Sequence, residues 1–236
     1  MIERKYKLKR TKIVGTIGPA SISKKTIRKM ILAGLNVCRI NFSHSNQEEA
    51  LKIIHTVREL NTELNSHVAI MGDLRGPKLR IGRVEKNVNL IKGEKVSVLG
   101  GEGLSNNSTI FINYAKISTD VKIGEKILID DGKIVLRVNT VENEKLICDI
   151  LQGGLLSSNK GFNLPNTYIS IPTITHKDSE DVLFCVQNKI EWVALSFVRS
   201  GSDMINLKTM IQNLSGDCKI IAKIEKPEAI KNLNSI

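Results

Sequence analysis

Cys218-Lys-Ile-Ile-Ala-Lys-Ile-Glu225 decides how this chain is read. A short apolar run closed by two opposite charges reads as a buried parallel strand that delivers Lys223 and Glu225 at its end. Residues i and i+2 of a strand point to one face, so both heads can enter one site. A cation beside a carboxylate suits a metal-bound anion, with Glu225 as a hard oxygen ligand for a divalent ion and Lys223 facing the substrate's negative charge. A surface ion pair at a strand end would look the same in isolation, so the rest of the chain has to decide.

Working outward, the N-terminal part repeats strand and helix with short connections. Thr11–Ile17 reads as a first strand ended by Gly18-Pro19. A helix follows, with Ser21 or Ser23 as N-cap, Ile27, Met30 and Ile31 at helical spacing, and Gly34 at its close. Asn36–Asn41 is a second strand and Phe42–Ser45 a loop. A helix from about Asn46 to Leu64 carries Ala50, Ile53, Ile54, Val57 and Leu60 on one face, and His67–Asp73 is a third strand. After Pro172 the rhythm resumes. Thr175 caps a helix with Asp178 in the capping-box position and Val182, Leu183 and Val186 inward. Trp192–Ser196 is a fourth strand, Asp203 to about Leu214 a helix, Cys218–Glu225 the fifth strand, and Pro227 opens a further helix.

Between these halves, from about Val84 to Ile169, no helical period is found. Short strand-like runs (95–99, 126–129, 133–138 and 145–150) are separated by Gly, Asn and Asp turns. That pattern predicts a small β-barrel inserted into the first domain. The expected organisation is a barrel domain over 1–83, an inserted β-barrel over 84–170, and the barrel domain resumed over 171–236. The fold class is α/β, a partial (β/α)₈ barrel: about five parallel strands are counted, where closure needs eight. A Rossmann sheet lacks support, because no GxGxxG follows the first strand.

Composition narrows the function classes. The chain has 236 residues, 41% of them hydrophobic, which supports an ordinary core. No apolar run approaches a membrane span, and the charged N-terminus has no apolar segment behind it, so no secretory signal is read. The four cysteines (38, 148, 185 and 218) form no CxxC, which argues against zinc and fits reduced thiols in a cytoplasmic protein. A formal charge of +11 points to an anionic partner. With lysines scattered and only 4% aromatic residues, stacking platforms are scarce, and a phosphorylated metabolite is favoured over nucleic acid.

Polar residues cluster at the C-terminal end of every parallel strand: Gly18-Pro19, Arg39-Asn41-Ser43, Asp73, Ser196-Phe197 and Lys223-Glu225. In a barrel that rim is where sites are built. Arg39, Lys223 and Arg80 offer cations, Glu225 a metal ligand, and Asn41, Ser43 and Asp73 oxygens for a second, monovalent cation. Such a set suits phosphoryl transfer, in which cations grip the moving phosphate and a metal bridges it to the substrate. Each residue alone would more often be a solvated loop charge; it is the agreement between strand ends that carries the argument. His44 lies in the second loop, where it could face a nucleotide. His55, His67 and His176 read as structural.

Seven segments, in order, resemble pyruvate kinase: Thr16-Ile-Gly-Pro19, Asn36–His44, Asp73-Leu-Arg-Gly-Pro-Lys-Leu-Arg-Ile-Gly82, Asp130-Asp-Gly132, Lys160-Gly-Phe-Asn-Leu-Pro165, Ser196-Phe-Val-Arg199 and Lys223-Ile-Glu225. The resemblance runs from about Arg10 to the end. It implies a barrel domain interrupted by a mobile β-barrel domain and, in full-length members, homo-oligomers. It implies the glycolytic transfer of phosphoryl from phosphoenolpyruvate to ADP, giving pyruvate and ATP. Position by position, Arg39 matches a contact to substrate phosphate and Lys223 the lysine that stabilises the transition state. Glu225 matches one of two Mg²⁺ carboxylates. Asn41, Ser43, Asp73 and the Leu74 carbonyl match the potassium ligands, and Asn41, His44, Arg80 and Lys160 match nucleotide contacts.

The chain also departs from that family. It ends before the next motif, which supplies the second Mg²⁺ carboxylate, so the polypeptide alone is expected to be inactive and poorly soluble. The alternative is a fragment or pseudoenzyme that assembles with a chain supplying the remainder. Leu74, Arg75, Lys78 and Ile81 stand where many potassium-dependent members have Thr, Lys, Glu and Thr. Lys78 would place an ammonium where the potassium charge acts, so independence of potassium is expected. Asn159 sits where a second lysine is often found, and Phe162 and Asn166 replace a Val and a Gly.

Overall fold

The computed structural model describes residues 10–236. The chain divides into two compact units, one formed by residues up to Gly76 with Thr173–Ile236, the other by Pro77–Pro172. The crossings therefore fall at 76/77 and 172/173, against 83/84 and 170/171 from the sequence. Residues 78–82 belong with the inserted unit because their backbone bonds lie there. The Lys78 carbonyl accepts from Asn113 Nδ2 at 3.0 Å, and the Ile81 N–H donates to the Lys160 carbonyl at 2.8 Å.

The first unit is a five-stranded parallel sheet with its helices interleaved: β1 (Val14–Thr16), α1 (Lys24–Ala33), β2 (Val37–Asn41), α2 (Gln47–Leu64), β3 (Ala69–Asp73), α3 (His176–Gln187), β4 (Trp192–Leu195), α4 (Gly201–Asn213), β5 (Lys219–Ala222) and α5 (Pro227–Lys231). Strand order follows chain order throughout. A doubly wound sheet reverses direction at a switch point; a barrel wall does not. The register aligns the C-terminal ends of the strands, with Thr16 opposite Arg39, Asn41 opposite Asp73, and Asp73 opposite Ala194.

The helices start where their caps dictate. The Ser23 hydroxyl accepts the Thr26 N–H, and the Asn46 side chain accepts the Glu49 N–H. Gly34 ends α1 at φ 107°, a left-handed conformation that suits glycine. Ala50, Ile53, Ile54, Val57 and Leu60 of α2 join Ile27 and Ile31 of α1 and Cys38, Ile40 and Ile70 of the sheet in one buried core. Each large aliphatic side chain buried there is worth about 1.5–3 kcal/mol.

Three readings are corrected. Cys218–Glu225 is not a buried strand: β5 spans only Lys219–Ala222, with Lys219 exposed and the other three residues half-buried, because β5 is the sheet's edge. Leu183 is 40% exposed; Val182 and Cys185, three residues apart, are fully buried, Val186 packs partly buried against the same core, and Phe184 packs edge-on against Phe42; a helical step of one residue turns Leu183 away from Val182. Helix α4 starts at Gly201 and not Asp203, since Asp203 is its third residue, where its carboxylate accepts the Ser200 N–H at 3.1 Å.

The inserted unit is a six-stranded sheet in the order 162–163, 126–129, 134–142, 145–152, 95–100 and 109–112. Residues 79–82 close it into a barrel. Arg80 bridges Gly161 at one edge and Ile81 bridges Ile112 at the other. The turn from 129 to 134 uses Asp130, Asp131 and Gly132 at φ 50°, 57° and 85°. One helical turn, Ile117–Asp120, interrupts a region read as lacking helix. Among the described residues no helix is long and apolar enough to cross a membrane.

Candidate functional site

Asp73 ends β3 and is buried, with 2% of its surface exposed. A carboxylate in that position has to be compensated by charge-assisted bonds. Arg39, two residues from the end of β2, donates from Nε to Asp73 Oδ2 at 2.8 Å and from a second guanidinium nitrogen to the same oxygen. A third nitrogen of Arg39 donates to Thr16 Oγ1 at 2.7 Å, across the register that sets β1 beside β2. Lys223, one residue past β5, brings its ammonium to 3.1 Å from Asp73 Oδ1 and 2.9 Å from Ser196 Oγ. Glu225 follows on the same side, with Oε1 3.3 Å from Lys223 Nζ. The i, i+2 argument therefore holds although the residues lie beyond the strand proper.

Two residues without an assigned role complete the cluster. The Ser196 hydroxyl donates to the Leu74 carbonyl at 2.7 Å while accepting from Lys223. The Phe197 N–H donates to Glu225 Oε2 at 3.0 Å from a left-handed backbone at φ 56°, a costly conformation for a residue with a Cβ. Lys226 is buried and its ammonium lies 5.8 Å from the centroid of the Phe197 ring; burial pushes its pKa down. In the sequence Ser196 stood out only as a polar residue ending a strand and within a resembling segment, and Thr16 only within such a segment.

The other sequence-derived residues divide between the units. In the first, Asn41 Oδ1 accepts the Ser43 N–H at 3.0 Å, and His44 is exposed. In the second, Arg80 donates to the Asn159 carbonyl at 2.7 Å, and the Lys160 ammonium is 3.1 Å from Asp130 Oδ1. Arg80 and Lys160 are brought close by the bridge between Arg80 and Gly161. Lys78 belongs to this second unit as well.

Chemically, the first unit offers a guanidinium and an ammonium, both less than a third exposed, converging beside a half-exposed carboxylate. That pair can bind and orient a phosphorylated anion. Among the described residues no three His, Cys, Asp or Glu side chains group as a metal cage. Glu225, whose Oε1 lies 3.3 Å from Lys223 Nζ and whose Oε2 accepts the Phe197 N–H, would be a single protein ligand for Mg²⁺, with waters and substrate oxygens supplying the remainder. The Asp73 oxygens are already taken by Arg39 and Lys223.

Fold and rim together define a partial, singly wound parallel α/β barrel with a mainly β unit inserted after the third strand. The family model described as "Pyruvate kinase, barrel domain" matches residues 8–236. The chain is 41% identical over 228 residues to a pyruvate kinase of Thermococcus litoralis, covering 96% of this chain and 48% of that protein. It is 36% identical to a pyruvate kinase of Buchnera aphidicola subsp. Schizaphis graminum, covering 98% and 48%, and 38% identical to one of Staphylococcus aureus, covering 97% and 40%. This chain belongs to the pyruvate kinase family, a family of phosphotransferases. It spans about half the length of the curated relatives it matches.

Proposed function

We propose that this chain carries the phosphoenolpyruvate-handling part of a cytoplasmic pyruvate kinase that transfers phosphoryl to ADP. The observation that supports this most is the convergence of Arg39 and Lys223 on Asp73, with Glu225 beside Lys223. Arg39 binds the substrate phosphoryl oxygens, and Asp73 holds the guanidinium ready for them. Lys223 offsets charge developing on the transferred group and on the enolate oxygen. Glu225 would hold Mg²⁺, which when bound supplies Lewis-acid polarisation. Asn41, His44, Arg80 and Lys160 are assigned to the nucleotide, and Asn41, Ser43, Asp73 and Leu74 to a monovalent cation, which would share the Asp73 oxygens with Arg39 and Lys223. Independence of potassium is expected from the residue type at position 78, and a Lys78→Glu variant tests it: phosphoenolpyruvate binding should become potassium-dependent.

The primary test is Mn²⁺ binding to residues 1–236, followed by water proton relaxation with and without phosphoenolpyruvate. Mn²⁺ and phosphoenolpyruvate should each tighten the other's binding, and Glu225→Gln should abolish the effect. A folded chain on which neither ligand affects the other would overturn the proposal.

A second reading, in which the chain assembles with a partner chain that supplies further strands, is favoured by the unpaired edge of β5 and by exposed Ile224, Ile230 and Leu233. Light scattering of the purified chain, alone and with that partner, separates the two.

A further inference from the structure

We propose that Asp178 is a positioning residue for the site, acting through the loop that leads from Asp73 to Gly76; the functional part of this inference rests on the reading given above. Asp178 is the third residue of α3 and fully buried. Its Oδ2 does what a capping-box residue does, accepting the Thr175 N–H at 2.8 Å and the Thr175 hydroxyl at 2.5 Å. Its Oδ1 does more: it accepts the Gly76 N–H at 3.0 Å, across 102 residues of sequence. Helix capping alone needs no such bond. A buried carboxylate whose two oxygens take three donors from two segments, two from Thr175 and one from Gly76, joins those segments firmly.

Gly76 ends the loop that carries the site. At its other end, the Leu74 N–H donates to the Ala194 carbonyl at 2.9 Å, and the Leu74 carbonyl accepts from the Ser196 hydroxyl. Gly76 itself is left-handed, at φ 64°, and packs so tightly that a Cβ there would meet Phe197 Cδ2 at 3.0 Å and Ser196 Cβ at 3.4 Å. Residues 73–76 are therefore held against Ser196 and Phe197 from one side and against α3 from the other. Ser196 and Phe197 contact Lys223 and Glu225. A shift at Gly76 is thus felt at Asp73, Lys223 and Glu225, where small displacements cost much of the rate. Gly76 is also the last residue of the first unit before Pro77.

Asp203 provides the control. It is the third residue of α4 and makes the same kind of cap, but its Oδ1 accepts from the Thr173 hydroxyl at 2.7 Å and not from Gly76. Amide hydrogen exchange by NMR on residues 1–236 distinguishes the two roles. In the unsubstituted chain the Gly76 amide should be as protected as those of β3. In Asp178→Asn its exchange should accelerate roughly ten- to hundred-fold, with the Val57 amide unchanged and the Arg39 Nε–H resonance displaced. Asp203→Asn should leave the Gly76 amide and the Arg39 resonance in place. Co-binding of Mn²⁺ and phosphoenolpyruvate should weaken in Asp178→Asn. The proposal is overturned if the Gly76 amide is unprotected in the unsubstituted chain, a measurement that stands even where the variant fails to fold. Equal acceleration by the two variants also overturns it. Absence of phosphoenolpyruvate binding to the unsubstituted chain refutes the functional reading alone, because Gly76 protection is measured without ligand.

Discussion

Arg39 lies on β2 and Lys223 just past the end of β5, strands that do not pair with each other, yet both end on Asp73, with Arg39 Nε 2.8 Å from Oδ2 and Lys223 Nζ 3.1 Å from Oδ1. One buried carboxylate on the middle strand thus sets the spacing of two cations from either side of it. The cluster balances formally, since Glu225 offsets the second positive charge.

Removing that carboxylate should separate the cations and destabilise the first unit. Asp73→Asn keeps the shape but leaves Arg39 and Lys223 facing each other with one charge uncompensated. Because their side chains are 27% and 28% exposed, water recovers part of the loss, and about 2 kcal/mol is expected. Trp192 is the chain's single tryptophan and lies in the first unit, so urea denaturation followed by its fluorescence reads this directly.

Lys223→Met should lower phosphoenolpyruvate affinity in the presence of Mn²⁺ by about tenfold or more, in line with the loss of one charge-assisted contact. The midpoint of urea unfolding should move much less than in Asp73→Asn, since Arg39 still compensates Asp73. An affinity equal to that of the unsubstituted chain would remove Lys223 from the binding site.

Gly72 leaves no room for a side chain. A Cβ there would sit 2.7 Å from Cys185 Sγ and 2.9 Å from Phe42 Cε2. Gly72→Ala should therefore cost about 1–3 kcal/mol through overpacking. Adding Cys185→Ala should recover a large part of it, because the nearest obstructing atom is then gone; thermal melts of the single and double variants test this coupling.

Stability should fall as the pH rises above about 9. Burial pushes the Cys38 thiol up to about 12, from 9.0 for an exposed thiol. Below pH 9 the thiol is protonated in both states and contributes no pH dependence. Above it the unfolded chain loses the proton and the folded one keeps it, so folding weakens by about 1.4 kcal/mol per pH unit until the folded thiol ionises. The Cys38→Ala variant should show a correspondingly flatter slope between pH 9 and 10.5 in urea titrations. Identical slopes would mean that Cys38 is not shielded.

Much of the architecture was legible because its signals are local. Ser23, Asn46 and Thr175 with Asp178 mark helix starts through bonds spanning three residues. Lys223 and Glu225 are two residues apart just past β5 and face each other at 3.3 Å, a local relation within one segment. What failed required neighbours. Leu183 is as apolar as Val182, and only the position of the sheet beneath α3 chooses between them. The run at 218–225 looks buried because it is apolar; that β5 lies at the edge depends on which strand pairs with which.

Taken alone, the sequence determined the alternation of strands and helices, the inserted β segment and the identity of the charged groups at the strand ends, because periodicity, caps and turns act over a few residues. Tertiary structure decided which of those groups meet. The bonds from Arg39 to Asp73, from Lys223 to Asp73 and from Gly76 to Asp178 span 34, 150 and 102 residues. They exist because parallel register aligns the strand ends and because a buried carboxylate must gather donors from whatever segments the fold brings within reach.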